Sequence, residues 1–257
     1  MPEALVRAHL QRYSRGKTPD FSHDRHQLIL VSAGALAISS RDARWIVPTG
    51  HGGWIPARTR CSLEPAGATL AAVLYLRPDV VRGMEPACQV LAIPAFLSAI
   101  VEHLVGIESL PSDRTGRRLA GVLADQIAAA ARIDLRLPSP RHPRATQVSE
   151  LLMADPSDTP SLEALGQELS VSARTLARHF VADTGLTLGQ WRLQFRLTHA
   201  LTLVASGRAV KDVAFEVGYE SPSAFVAAFK RALGTTPGKM FKNSSRKHGN
   251  TEAPNKI

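Results

Sequence analysis

Residues Val210 to Gly234 read VKDVAFEVGYESPSAFVAAFKRALG, and an earlier stretch, Leu162 to Thr187, reads LEALGQELSVSARTLARHFVADTGLT. Laid together with Glu220 as the single insertion, the two match position by position. Leu162, Leu165 and Leu169 fall on Val210, Val213 and Val217, Gly166 on Ala214, Ser172 on Ser221, Leu176 on Phe225, Phe180 on Phe229, and Gly185 on Gly234. Each copy therefore reads as a helix, a short turn, and a second helix opened by a serine N-cap and closed by glycine. The small residue in the first helix lets the second cross closely over it. Leu176 and Phe180, like Phe225 and Phe229, stand four apart, so both lie on one inward face.

That packing leaves the opposite face of each second helix free, which is how a helix-turn-helix presents its second helix to a major groove. The two units are joined by LTLGQWRLQFRLTHALTLVASG, a helix of about twenty residues spanning roughly 30 Å, close to the rise between successive major-groove faces. Trp191, Phe195 and Val204 are expected inward on it, and Arg192, Arg196 and His199 outward. The two outer faces differ. The repeat sets Arg174 against Ser223, Thr175 against Ala224, Arg178 against Ala227 and His179 against Ala228. Arginine bidentate to guanine is the commonest specific base contact, whereas alanine offers only a methyl for thymine. Base reading is therefore expected from Ser172, Arg174, Thr175 and Arg178, with Ser223, Ala224 and Ala227 touching bases lightly. Ser221, Arg196, Lys230, Arg231 and Lys239 are expected to hold the DNA backbone. For Arg174 and Arg178 the competing reading is a phosphate contact or a solvated side chain.

The remaining sequence agrees with such a role. The chain has 257 residues, a net charge of +9 and a sequence pI near 10.1, a balance that favours polyanionic partners. Its two cysteines, Cys61 and Cys88, are too few for a disulfide framework. The N-terminus is polar and basic, with no apolar run to span a membrane, so a cytoplasmic protein without a membrane partner is expected.

Upstream, QLILVS, ALAIS, RWIVP, GGWIP and TLAAVLYL are short apolar runs separated by glycine and proline corners, the texture of an antiparallel sandwich or barrel. Ile93 to Gly106 and Asp113 to Ile133 then show helical periods. The second carries a stripe at Leu119, Val122, Leu123 and Ile127 that suits either core packing or dimerisation. Three prolines in LPSPRHPR break the pattern. The expected class is α+β. It comprises a segment 1–20, a β-rich domain with two following helices at 21–137, a linker at 138–145, a helical DNA-binding domain at 146–243 and a disordered tail at 244–257.

The run SVSARTLARHFVADTGLTLGQW, the helix FRLTHALTLVASG and above all VKDVAFEVGYESPSAFVAAFKRALGTTP resemble the C-terminal DNA-binding domain of the AraC/XylS family of bacterial transcription regulators, over about 100 residues from Ala145 to Phe241. The resemblance implies sequence-specific promoter binding through both second helices, contact with RNA polymerase in an activator, and a homodimer. A departure follows Thr236-Pro237, where Met240 and Phe241 stand in place of the family's usual tyrosine and arginine. FSHDRHQLILVSAGALAI with PTGHGGWIPARTRCSLEPAG is similar to the cupin-like barrel that precedes this domain in many members. In metal-binding cupins three histidines converge. Here His23 and His26 have Cys61 as the third, so they read either as ligands of a soft metal or as barrel-edge residues around a buried thiol. We expect no metal and no cofactor. A small-molecule effector inside the domain is expected instead, with His23, His26, Trp45, Trp54, Cys61 and Tyr75 as candidate lining. The alternative is a metal-dependent cupin enzyme tethered to DNA, although no catalytic constellation appears.

Overall fold

The computed structural model describes residues 3–14 and 16–240. The expected tail at 244–257, and Phe241 to Asn243 before it, lie outside the described residues. The β-rich half contains β1 (Val6–Tyr13), β2 (His26–Ala33), β3 (Ala35–Ser39), β4 (Ala43–Pro48), β5 (His51–Ile55), β6 (Ser62–Pro65), β7 (Thr69–Leu76), β8 (Gln89–Ala92), β9 (Ser109–Leu110), β10 (Arg132–Ile133) and β11 (Arg136–Pro138). All five apolar runs singled out in the sequence are strands. They form a seven-stranded sheet, β10-β8-β5-β2-β7-β1-β9, and a four-stranded sheet, β11-β4-β3-β6, antiparallel throughout.

Strand alternation divides the large sheet's side chains between two cores. Ile29, Val31 and Val73 join Leu36, Ile38 and Val47 of the small sheet. Leu28, Leu30, Leu74 and Leu76 face the other way, onto α1 (Ala95–Ile107) and α2 (Arg114–Ala129). Between the sheets there is little room at Gly53, where a Cβ would stand 2.6 Å from Ile38 and 2.9 Å from Val47. On α2, Leu123 and Ile127 are fully buried in the core while Val122 remains 40% exposed. The stripe thus serves mainly core packing.

Segment 1–20, expected to stand apart, supplies β1, which pairs along its length with β7 from Val6↔Leu76 to Tyr13↔Thr69. Its sequence VRAHLQRY does alternate. Only Val6 and Ala8 of it are buried, however, and the opposite face carries Arg7, His9 and Gln11, so hydrophobicity alone hides the strand. The expected linker is also shorter than 138–145, because β11 still pairs with β4 through Pro138 and α3 (Pro143–Ala154) begins at Pro143.

The helical half continues with α4 (Leu162–Glu168), α5 (Ala173–Thr184), α6 (Leu188–Ala205), α7 (Val210–Glu216) and α8 (Pro222–Leu233). Gly166 permits the α4–α5 crossing, since a Cβ there would meet the Val171 carbonyl at 2.6 Å. Both turns need a left-handed residue, and the repeat places Ser170 (φ 53°) where the second unit has Gly218 (φ 80°). A serine in that region carries a strain of about 1 kcal/mol that glycine does not. Ser170→Gly is therefore expected to raise stability by up to about 1 kcal/mol in a denaturant titration, and a loss would show that the serine side chain stabilises the turn.

Helix α6 joins the two halves. Its N-terminus is fixed by a Thr187–Gln190 capping box, and Trp191 Nε1 donates to the Pro138 carbonyl at 2.8 Å. It packs along β3, β4 and β11, and one apolar cluster includes strand residues such as Ile46, α6 residues Leu197, Leu201 and Val204, and Val213, Phe225 and Phe229 of the second unit.

Candidate nucleic-acid interface

In the first unit the Ser172 hydroxyl accepts from the Thr175 amide at 3.2 Å and donates to Thr175 Oγ1 at 2.8 Å, which fixes the start of α5. Leu176 and Phe180 are buried below, so Arg174 and Arg178 project from the exposed face one turn apart. Neither makes an ion pair among the described residues. Thr175 is half-buried beside them. The second unit repeats the frame with Ser221 accepting from Ala224 N at 3.2 Å and Phe225 and Phe229 fully buried. Its exposed side holds Ser223, Ala224 and Ala227, with Ser221 Oγ and Ser223 Oγ 3.1 Å apart. Lys230 and Arg231 are exposed in the last turn of α8, where they also complement the helix dipole.

Two side chains expected on the DNA backbone have protein neighbours of their own. The Arg196 guanidinium turns inward, with Nε donating to the Pro156 carbonyl at 3.1 Å and an Nη to that of Gly218 at 3.2 Å. With Arg192, which donates to the Pro160 carbonyl at 2.8 Å, it ties the α3–α4 loop to α6 and to the second turn. A helical wheel places these arginines outside the core, but half-buried carbonyls of the neighbouring loop and turn accept from them. Lys239 lines a cleft of about 860 Å³ beneath α1, with Leu10, Leu30, His51 and Glu102 across from it. Glu216 pairs with Arg208, whose Nη1 lies 3.1 Å from the carboxylate.

The family described as AraC-like ligand binding domain matches residues 3–115, and that described as helix-turn-helix domain matches 165–243. The HTH-type transcriptional regulator NimR of Escherichia coli K12 is 31% identical over 224 residues, 87% of this chain and 82% of NimR. The chain belongs to the AraC family. Matches over shorter stretches include the HTH-type transcriptional regulator RipA of Corynebacterium glutamicum, 40% identical over 39% of this chain and 30% of RipA. Another is the HTH-type transcriptional activator RhaR of Escherichia coli K12, 33% identical over 34% and 31%.

This AraC-family regulator thus pairs a helix-turn-helix DNA-binding half with an N-terminal ligand-binding domain, and the six effector candidates in that domain do not converge. His23 and Tyr75 share a cavity of about 190 Å³ with His9, Tyr13 and Gln27. Trp54 points the other way, fully buried under α1 and α2, and His26 stacks on it at 4.9 Å. Burial pushes the His26 pKa down, partly offset by a hydrogen bond to the Pro78 backbone. Trp45 borders a separate opening beside Cys88, and Cys61 sits in the core at the Phe21↔Cys61 bridge. Among the described residues no three His, Cys, Asp or Glu side chains gather as a metal site. The residues around this cavity that the sequence reading missed are His9, Tyr13 and Gln27, the last a polar residue on a β2 face otherwise made of apolar Ile29 and Val31.

Desolvation raises the Cys61 thiol to about 11 and, with a smaller repulsion from Cys61, the Cys88 thiol to about 12. Both stay protonated at neutral pH, and Cys61 is shielded within the core. Ellman's reagent at pH 8 is expected to leave Cys61 unmodified in the native protein and to modify both cysteines after denaturation. Fast native labelling of Cys61 would contradict its placement in the core.

Proposed function

We propose that this regulator reads promoter sequence mainly through α5, with Arg174 and Arg178 on base edges and Ser172 and Thr175 assisting, while α8 grips. The observation that carries the reading is the contrast between two identically built units. One exposes two free guanidinium groups and the other exposes Ser223, Ala224 and Ala227. Ser221, Lys230 and Arg231 serve the phosphates, and the two alanines touch thymine methyls. Arg196 and Lys239 are left out of the contact set for the geometry given above. The α6 helix, 18 residues or about 27 Å long, supports placement of the two units in adjacent major grooves.

The effector pocket in this reading is the cavity of His23 and Tyr75. Tyr75 stacks on His9 at 5.8 Å and meets His23 edge-on at 5.3 Å. Gln27 on its wall is 3% exposed and its Oε1 lacks a hydrogen-bond partner among the described residues. Burial, then the neighbouring Tyr75, raises the Tyr13 phenol to about 12, so it stays a neutral donor. A small uncharged polar molecule with aromatic-stacking faces suits such walls. The protein works in the cytoplasm as a homodimer without catalysis, and it meets RNA polymerase where it activates.

The test is to sequence the genomic fragments that the purified protein retains at moderate salt. Recovered sites should show two blocks about ten base pairs apart, one G-rich and sharp, the other degenerate. Two equally sharp blocks would overturn the division of labour, and retention no better than random duplex would overturn specific reading altogether. Lys230→Ala is expected to weaken all sequences alike and to lower the salt slope by about 1. A sequence-selective loss there would instead make Lys230 a reader.

A further inference from the structure

On the β8–β10 side of the sheet sandwich lies a second opening, of about 620 Å³, that shares no lining residue with the effector pocket. Its floor is apolar, formed by Trp45, Cys88, Val90 and Ile133, of which the first three are at most 6% exposed. Its rim is charged, with four guanidinium groups (Arg41, Arg60, Arg132 and Arg136) against the carboxylates of Asp42, Glu85 and Asp134.

Two of the three carboxylates are engaged, while that of Asp134 makes no ion pair or side-chain hydrogen bond among the described residues. Asp42 pairs with Arg141 outside the opening, and Glu85 accepts from the Gln89 amide at 3.3 Å. Gln89, 8% exposed, also accepts from Arg132 Nε at 3.3 Å, and the Ala128 and Ala130 carbonyls hold Arg132 Nη1 at 3.0 and 3.2 Å. Arg132 is therefore a fixed positive charge, whereas Arg41 and Arg136 make no ion pair or side-chain hydrogen bond among the described residues. Free guanidinium forks over an indole floor match a planar anionic head on an apolar body.

From this geometry we propose that the opening is a binding site for a small organic anion, a carboxylate or phosphate head on a ring-sized apolar body, and that α5 feels its occupancy. The proposal rests on the regulator reading above and adds a ligand class and a route to it. Asp42 belongs to the rim, and its partner Arg141 begins the connection to the reading helix. The Arg141 and His142 amides donate to Asp183 of α5 at 2.8 and 2.6 Å, and the His142 ring stacks on His179 of α5 at 3.8 Å. On the same wall, the Asp134 carbonyl accepts from Gln194 of α6 at 2.7 Å. An anion seated between Arg41 and Arg136 lies beside Asp42 and changes the field in which Asp42 holds Arg141.

The test titrates the full chain with phenyl phosphate, phenylacetate, benzyl alcohol and inorganic phosphate, following tryptophan fluorescence, with Trp45→Phe to assign the signal. At least one of the two aromatic anions is expected to bind about tenfold or more tightly than both benzyl alcohol and inorganic phosphate. Which of them does so distinguishes a carboxylate from a phosphate ligand. Arg41→Gln, at an exposed turn, and Arg136→Lys, which keeps charge but loses the fork, should each weaken that binding several-fold with the melting temperature unchanged. Equal affinity for the neutral alcohol, equal affinity for inorganic phosphate, or indifference to both arginine variants overturns the site.

For the coupling, the anion should shift affinity for a selected DNA site by about fivefold or more, and DNA should shift anion affinity by the same factor. Arg141→Ala, which unpairs Asp42 on the rim and should weaken anion binding, should lose that shift even when the anion is saturating. A shift that persists in Arg141→Ala overturns the route, as does no shift in the unaltered chain. Specific DNA binding without any anion is measured on the same preparation. Its loss strikes the regulator reading, and its persistence without anion binding strikes this site alone.

Discussion

Arg174→Ala is expected to lower affinity for the selected DNA site by roughly 1 to 3 kcal/mol, a factor of about 5 to 150, and to relax specificity at one position of the sharper block. The size follows from losing a bidentate contact that no neighbour can replace. Thr175 is too short to reach the same base edge, and the next long side chain, Arg178, lies a turn away. Arg178→Ala should act similarly at a second position. The contrast is Ala227→Gly on α8, which removes only a methyl from the base-facing surface and should alter the site sequence far less, at most at one thymine position of the degenerate block. Gel-shift competition with single-position variants of the site measures all three. If Arg174→Ala weakens every DNA sequence equally and flattens the salt dependence, the side chain is a phosphate contact.

Trp191→Ala should be the most destabilising single change, costing roughly 3 to 5 kcal/mol and lowering Tm by roughly 6 to 20 °C. The indole is 1% exposed, stacks with Phe195 at 5.6 Å and meets Phe180 edge-on at the same distance. Its Nε1 bond to Pro138 also ties α6 to the end of β11, so the substitution leaves both a cavity and an unmatched buried carbonyl. Trp191→Phe separates the two losses, since it keeps most of the ring and drops the bond. It is expected to cost about 1 to 3 kcal/mol. A Tm within a degree or two of the parent for Trp191→Ala would mean that the contact between the halves is not rigid in solution.

The helix-turn-helix frame was legible in the sequence because its determinants are local. Serine N-caps, apolar pairs four apart and closing glycines act within one or two turns, and the repeat presents each twice. The strands carrying long apolar runs were legible for the same reason. What remained hidden depends on register and on distant partners. His26 and Gln27 are adjacent on β2, yet parity sends one towards Trp54 and the helices and the other into the cavity of His23 and Tyr75, and no residue near them in sequence decides which. The two-residue strands β9 and β10 are too short to carry a period. Arg196 reads as an outward cation on a helical wheel, and only the fold reveals the Pro156 and Gly218 carbonyls waiting for it.

Because α6 both links the two reading units and lies along β3, β4 and β11, it behaves as a beam bolted to the sensing half. A tilt of those strands would swing both units together and leave the distance between them as it was. Control exerted through this joint would therefore act on how the pair is aimed rather than on its fit to one pair of grooves.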